Sequence, residues 1–407
     1  VTRVIDGGIT APSGFRAAGV ACGIKRAPAA GQPPALDLAL VAATSPVPTA
    51  AVFTTNRAVA APVVVSRAHL DRSGGRAAAV VINSGCANAC TGTEGHTVAR
   101  QMAEATATAL GCEVDRVLVA STGVIGVALD IQKIRTGVAA AAGALSVGGQ
   151  AAAARAIMTT DPFPKALAVL VDTPGGRFTV GGMAKGSGMI EPRMATMIGV
   201  LTTDARVEPD VLARALRSVC DETFNAITVD GECSTNDCVF AMASGESGVA
   251  FTRDDDPALL DGLREVAGHL AREIVRGGEG ATKLVTITVT GAASTADARL
   301  AARTVANSPL VKTAIHGGDP NWGRLVAATG RSGAAFSLDR ASVAIGNVPL
   351  FVAGVPHDER AEAAARVLAD REVVITIDLG VGGSSTATMW TCDLSAEYVR
   401  INGQYRT

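Results

Sequence analysis

Aromatic side chains are scarce in this sequence: two Trp, two Tyr and nine Phe supply only 3% of its 407 residues. Hydrophobic residues still make up 48% against 18% charged, so small aliphatic side chains must fill the core of a folded chain. An excess of either charge is also missing. A formal net charge of -2 exerts no long-range pull on a polyanion, which argues against nucleic acid or an anionic membrane and leaves small molecules as the expected partners. No uninterrupted apolar run reaches the roughly 18 residues of a membrane-spanning helix, and the Ala-rich stretch Val138–Leu145 is too short. The segment Val1–Ala11 lacks a basic region followed by an apolar one, so no signal peptide is read and a cytoplasmic protein is expected. Eight cysteines (Cys22, Cys86, Cys90, Cys112, Cys220, Cys233, Cys238 and Cys392) are spread too thinly for the disulfide framework of a small secreted domain. They read as reduced and structural.

The length suits two or three domains or one large layered body. Strand-like runs rich in β-branched residues fall at Val63–Ser66, Ala79–Ile82, Arg116–Ala120, Ala168–Val171, Leu284–Val289 and Val373–Ile377. Between them lie helical patterns. The clearest places Leu259, Leu263, Val266, Leu270 and Ile274 on one face of a helix opened by Asp256-Pro257. Others run Thr97–Leu110, Ile131–Leu145, Pro209–Val219 and Arg360–Leu368. Such mixing predicts an α/β or α+β architecture of layered sheets and helices. Gly181–Pro192 is dense in glycine and reads as a flexible segment, leading into a buried strand that begins at Thr196.

Three glycine-rich places invite a phosphate-binding reading, and none sustains it. Lys185 precedes Gly186-Ser187, whereas a P-loop needs Gly-Lys-Ser/Thr opening a helix. In Gly380–Gly383 the third glycine of a dinucleotide fingerprint is replaced by Ser385, and strand-like Thr386–Cys392 follows in place of a helix. Gly277–Gly280 ends a helix, where glycine capping is the ordinary explanation. The five histidines show no His-x-x-x-His spacing and the cysteines no Cys-x-x-Cys, so no metal site is expected. His316 stands out, within a polar, glycine-rich stretch from Lys312 to Arg324, but no triad can be assembled around it.

The informative segment is Lys185–Asp204, with a lysine-glycine stretch, then Pro192-Arg193-Met194-Ala195-Thr196-Met197, then Thr203-Asp204. It resembles the ornithine acetyltransferase family of arginine biosynthesis, whose members cleave themselves before the threonine. Further stretches carry the same resemblance: Asn83–Ala89, Ser121–Gly126, Ile157–Asp161, Thr228–Glu232, Gly278–Lys283 and Ile401–Gly403. Together they span nearly the whole chain. The resemblance implies an N-terminal-nucleophile-like sandwich, self-cleaved into fragments 1–195 and 196–407 that stay associated, with two copies of each in the assembly. It further implies acetyl transfer from N-acetylornithine to glutamate with no cofactor, acetyl-CoA being left open as an alternative donor.

Chemistry supports the choice of Thr196. A threonine hydroxyl is a weak nucleophile, but at a chain N-terminus its own α-amine, of pKa about 8, can take the hydroxyl proton near neutral pH. Before cleavage the same hydroxyl can attack the carbonyl of Ala195, whose small side chain leaves room. Both reactions develop an oxyanion that needs positioned donors. The resemblance puts these at Thr122 and Gly123, and places the substrate against Thr159, Lys185, Thr196, Glu279, Asn402 and Thr407. Choosing Thr159 over Thr160 rests on the match alone. Lys185 suits an amino-acid carboxylate and Glu279 the side-chain amine of ornithine. Two rivals stand beside this reading: an N-terminal-nucleophile aminopeptidase or amidase, in which water resolves the acyl-enzyme, and a nucleotide-binding protein using the glycine-rich loops.

Overall fold

The computed structural model describes residues 1–26, 31–191 and 197–404. Ala195, Thr196 and Thr407 therefore lie outside the described residues. The chain divides into two compact units, one of Val1–Asn225 with Glu232–Ile274, the other of Ala226–Gly231 with residues 275–404.

The first unit is built on a nine-stranded mixed sheet. Its order is Thr2–Ile5, Lys165–Thr173, Gly176–Lys185, Ile198–Thr203, Cys238–Ala243, Leu38–Phe53, Arg76–Cys86 and Val117–Val124, with Phe15–Val20 also pairing Leu38–Phe53. Successive side chains of a strand point to opposite faces, and the two cores divide accordingly. Val80, Ile82, Leu118 and Ala120 enter one core with the helix Gln150–Ala156. Their neighbours Ala79, Val81, Val117 and Val119 enter the other, against helices Ala61–Arg72, Gly92–Leu110 and Ile131–Gly143. Alanines at Ala99, Ala103 and Ala107 let these helices approach closely, which is how a chain poor in aromatics reaches dense packing.

Most expected elements are present, and the layered α/β architecture is as read. Two readings need correction. Val63–Ser66 is not a strand; it lies in the helix Ala61–Arg72. Pro62 presets the first turn, and tertiary hydrogen bonds override the β-propensity of the valines. The Ser66 hydroxyl donates to the Val119 carbonyl and accepts the Val119 N–H, each at 2.7 Å, and His69 Nδ1 meets the Val117 carbonyl at 2.8 Å. Nor is all of Gly181–Pro192 a loop, since Gly181–Lys185 continues a strand. Its glycines serve close packing: a Cβ on Gly181 would stand 2.0 Å from the Gly8 carbonyl oxygen. The buried strand read as beginning at Thr196, which lies outside the described residues, is found from Ile198 to Thr203.

The second unit has a six-stranded sheet in which Leu284–Ala292 pairs parallel with Glu372–Asp378 and antiparallel with Ser385–Cys392. Val285, Ile287 and Val289 point from it into a core lined by Ala298, Ala301, Ala302 and Val305 of the helix Thr295–Ala306. Among the described residues no helix is long and apolar enough to cross a membrane.

Candidate functional site

In the first unit the site begins where two parallel strands end. Arg76–Cys86 and Val117–Val124 run in register, with Ser84 opposite Thr122 and Gly85 opposite Gly123, and the register then slips at Gly85 and Cys86. Such an irregularity releases backbone groups from the ladder and re-aims them. Gly123 has φ +128°, and a Cβ on it would fall 2.4 Å from the carbonyl carbon of Gly85. Only glycine fits, so its N–H is unobstructed by a side chain.

Buried amides and hydroxyls fix these strand ends. Ser121 donates its hydroxyl to Asn83 Oδ1 at 2.6 Å, and Asn83 Nδ2 donates to the Cys86 carbonyl at 2.9 Å. Asn236 Nδ2 donates to the carbonyls of Ala87 and Ser121 at 2.6 and 2.9 Å. Ser84 reaches the Ala156 carbonyl at 2.5 Å, tying the strand end to the segment that carries Thr159.

Asp161 organises the next layer. Its carboxylate accepts the Thr159 N–H at 3.0 Å, the Gly186 N–H at 2.7 Å and the Lys165 ammonium at 2.6 Å. Burial alone would raise its pKa, but the charges of Lys185 and Lys165 and these hydrogen bonds outweigh that and hold it at about 2. Thr159, not Thr160, is thus the residue whose backbone is bound to the hub. Lys185, itself buried, donates from Nζ to Thr122 Oγ1 at 3.2 Å. With a lone pair of that hydroxyl engaged by a cation, its hydrogen is free to donate to a developing anion. Lys185 is also the register partner of Ile198, which follows Thr196 by two positions in sequence.

In the second unit Glu279 is buried and accepts from Asn402 Nδ2 at 2.9 Å; Asn402 also reaches the Tyr398 carbonyl at 3.1 Å. The adjoining Thr282–Lys283 backbone donates to Asp393, which accepts the Thr282 hydroxyl at 2.6 Å and meets His316 Nδ1 at 2.7 Å. Burial opposes the charge on Asp393, yet these donors keep its carboxyl below the usual range. His316 is thus partnered to a structural carboxylate that braces the Glu279 loop.

The expected residues accordingly fall into two sets: Thr122, Gly123, Thr159 and Lys185 in one unit, Glu279 and Asn402 in the other. Thr196 and Thr407 lie outside the described residues. Sequence reasoning gave no role to Asp161, Lys165, Asn83 or Asn236. The four-residue spacing of Asp161 and Lys165, followed by an apolar run, was the available signal of a buried pair. Lys185 ends a strand rather than opening a helix, which removes the P-loop reading, and Gly380–Gly383 joins two strands with no helix after it. Among the described residues no group of His, Cys, Asp or Glu is arranged to hold a metal ion.

Comparison with known proteins places this geometry in context. The model of the ArgJ family matches residues 16–407. The arginine biosynthesis bifunctional protein ArgJ of Symbiobacterium thermophilum is 50% identical over 406 residues, 99% of each chain. Its counterpart from Chlorobaculum tepidum is 50% identical over 398 residues, 97% of this chain and 96% of that one. A crystal structure of the Bacillus halodurans protein of the same name is 40% identical, with a TM-score of 0.48, covering 50% of this chain and 97% of that one.

Proposed function

The chain belongs to the ArgJ family, and from that premise we propose that it is an ornithine acetyltransferase of arginine biosynthesis that carries the acetyl group on Thr196. The observation that carries this reading is the full-length match, half of the residues being identical over 99% of the chain. The Ala195–Thr196 bond is a processing site and not a domain boundary, and fragments 1–195 and 196–407 remain associated, two of each in the assembly.

The Thr196 oxygen attacks the acetyl carbonyl of N-acetylornithine while its proton passes to the freed α-amine. The oxyanion is met by the Thr122 hydroxyl and the Gly123 N–H, beside the Lys185 charge. Collapse breaks the bond from carbon to nitrogen, the proton moves to the leaving amine, and ornithine departs. Glutamate then attacks the ester by the reverse steps and leaves as N-acetylglutamate. The family resemblance assigns the amino acid to Lys185 and Thr159 of the first unit, to Glu279 and Asn402 of the second, and to Thr407. No cofactor is needed, because the acyl group rests on the protein; acetyl-CoA stays open as an alternative donor, one that would form the same acetyl-Thr196 intermediate. Biosynthesis of this kind fits a cytoplasmic enzyme.

Thr122→Ala should slow turnover by about ten- to a thousandfold, the range for losing one oxyanion donor, with KM little changed. Steady-state kinetics on the purified variant check this, and an unchanged kcat would remove the side chain from the oxyanion site. The two half-reactions also separate transferase from amidase. Reciprocal rate plotted against reciprocal N-acetylornithine concentration, at several glutamate concentrations, should give parallel lines. Continuous release of acetate at a rate indifferent to glutamate would instead establish the hydrolase.

A further inference from the structure

One cation beside the strand ends has no part in the scheme above. Lys25 sits in a loop that Asp37 pins down: this buried carboxylate accepts the N–H groups of Cys22, Ile24 and Lys25 at 2.6, 2.7 and 3.0 Å. The backbone bearing Lys25 is therefore fixed before any ligand arrives. There the start of its stem lies against Gly85. A Cβ on Gly85 would meet Lys25 Cγ at 3.1 Å and the Lys25 backbone nitrogen at 3.3 Å. Gly85 is the register partner of Gly123 and touches it backbone to backbone. Two glycines thus bring a lysine side chain onto the end of the strand pair where the oxyanion is expected to form.

The ammonium is half-buried and keeps donors beyond its one described contact. Among the described residues Lys25 Nζ gives one hydrogen bond, to the Leu36 carbonyl at 2.7 Å, of the three that an ammonium can donate. Burial lowers its pKa, the charges of Asp37 and Asp161 oppose that, and the charge of Lys185 adds to the lowering. Lys25 is thus within electrostatic reach of both Asp161 and Lys185, the groups around Thr159 and Thr122. A half-buried cation kept near another cation, with donors to spare, is a site for an anion.

The substrates supply that anion. In N-acetylornithine the reacting nitrogen is bonded to the carbon that carries the α-carboxylate, and the same holds for glutamate and its acetylated product. Whatever the side chain, a carboxylate lies two bonds from the nitrogen that leaves or attacks. It must come to rest close to the oxyanion donors, where an unneutralised negative charge would oppose the one developing on the carbonyl oxygen. We propose that Lys25 is a substrate-binding residue that takes the α-carboxylate shared by donor and acceptor amino acids, alongside Lys185. The inference rests on the acetyl-transfer reading of this site.

Lys25→Met keeps the stem over Gly85 and removes only the charge, and Lys25→Arg keeps the charge. Each is assayed beside wild type with N-acetylornithine and with its α-carboxamide, glutamate saturating. Thermal unfolding confirms that the variants are folded. Loss of one charge-assisted contact should lower kcat/KM for the acid by about ten- to a hundredfold in the Met variant. The loss should fall on kcat as well as KM, because the carboxylate left unneutralised opposes the charge that develops only in the transition state. The carboxamide should react with wild type and the Met variant at similar kcat/KM, and Arg should restore much of the preference for the acid. An equal loss for acid and amide, or no loss at all, would overturn the assignment. Wild-type enzyme that transfers no acetyl group to glutamate would overturn the parent reading, and this one with it.

Discussion

Replacing Thr196 with alanine should leave one uncut chain whose acetyl transfer falls by about a million-fold, the scale seen when a covalent nucleophile is removed. Both losses have one cause. The hydroxyl that would attack the Ala195 carbonyl is the one that would later carry the acetyl group, and the α-amine that serves as its base exists only after the cut. Thr196→Ser keeps the hydroxyl and should still be processed and active. Intact-mass spectrometry and a gel run under denaturing conditions report cleavage, and ornithine release reports transfer. If the alanine variant is still cut, or sequencing of the wild-type fragments finds a terminus other than Thr196, the nucleophile is misassigned.

Asp161→Asn should be the most destabilising single change at the site, by about 3–5 kcal/mol, because it strands a charge inside the protein. Both side chains of the Asp161–Lys165 pair are fully buried, with nitrogen and oxygen 2.6 Å apart. Removing the carboxylate leaves Lys165 without its counter-ion and weakens the acceptor for the Thr159 and Gly186 N–H groups. Lost activity should accompany lost stability, since those groups flank two proposed substrate ligands. An exposed helical pair such as Glu362–Arg366 serves as the control, and its removal should not measurably shift the unfolding midpoint. The sign of the pH effect follows from the same carboxylate. Its folded-state pKa of about 2 lies below the unfolded value of about 3.9. The stabilisation is therefore present above about pH 4 and is lost as pH falls toward 2. Urea unfolding of wild type and variant across that window measures it: the two curves should converge at the acid end, and a constant gap would refute the assigned role.

Much of this fold was legible wherever a residue pattern serves a single purpose. The helix Pro257–Arg276 shows its apolar stripe plainly, and strands such as Glu372–Asp378 alternate as a half-buried strand should. Legibility failed where long-range contacts decide. Val63–Val65 looks like a strand until Ser66 and His69 bind the neighbouring strand. The sixteen-residue strand Leu38–Phe53 is masked by Pro46 and Pro48, which the sheet accommodates through a register shift between Ala42 and Val47. Gly181 and Gly182 read as loop because a sequence cannot reveal that the Gly8 backbone lies against the first and the side chains of Leu201, Val266 and Leu270 against the second. At the site, a resemblance selected Thr122, Gly123 and Lys185, but their grouping was not legible from strand order, since four strands separate Gly176–Lys185 from Val117–Val124 in the sheet and only the fold brings Lys185 to Thr122. Asp161 escaped because the one signal of its buried pair with Lys165, a four-residue spacing ahead of an apolar run, is weak beside the many charges so spaced at the surface.

The central claim is that acetyl passes through Thr196. Enzyme incubated with N-acetylornithine alone, quenched in acid and digested, should show one acetyl group on the peptide that begins at Thr196, with at most one ornithine released per site. Addition of glutamate before the quench should remove that label and yield N-acetylglutamate. No acetylated peptide, an acetyl group on another residue, or steady acetate release without glutamate would contradict the account.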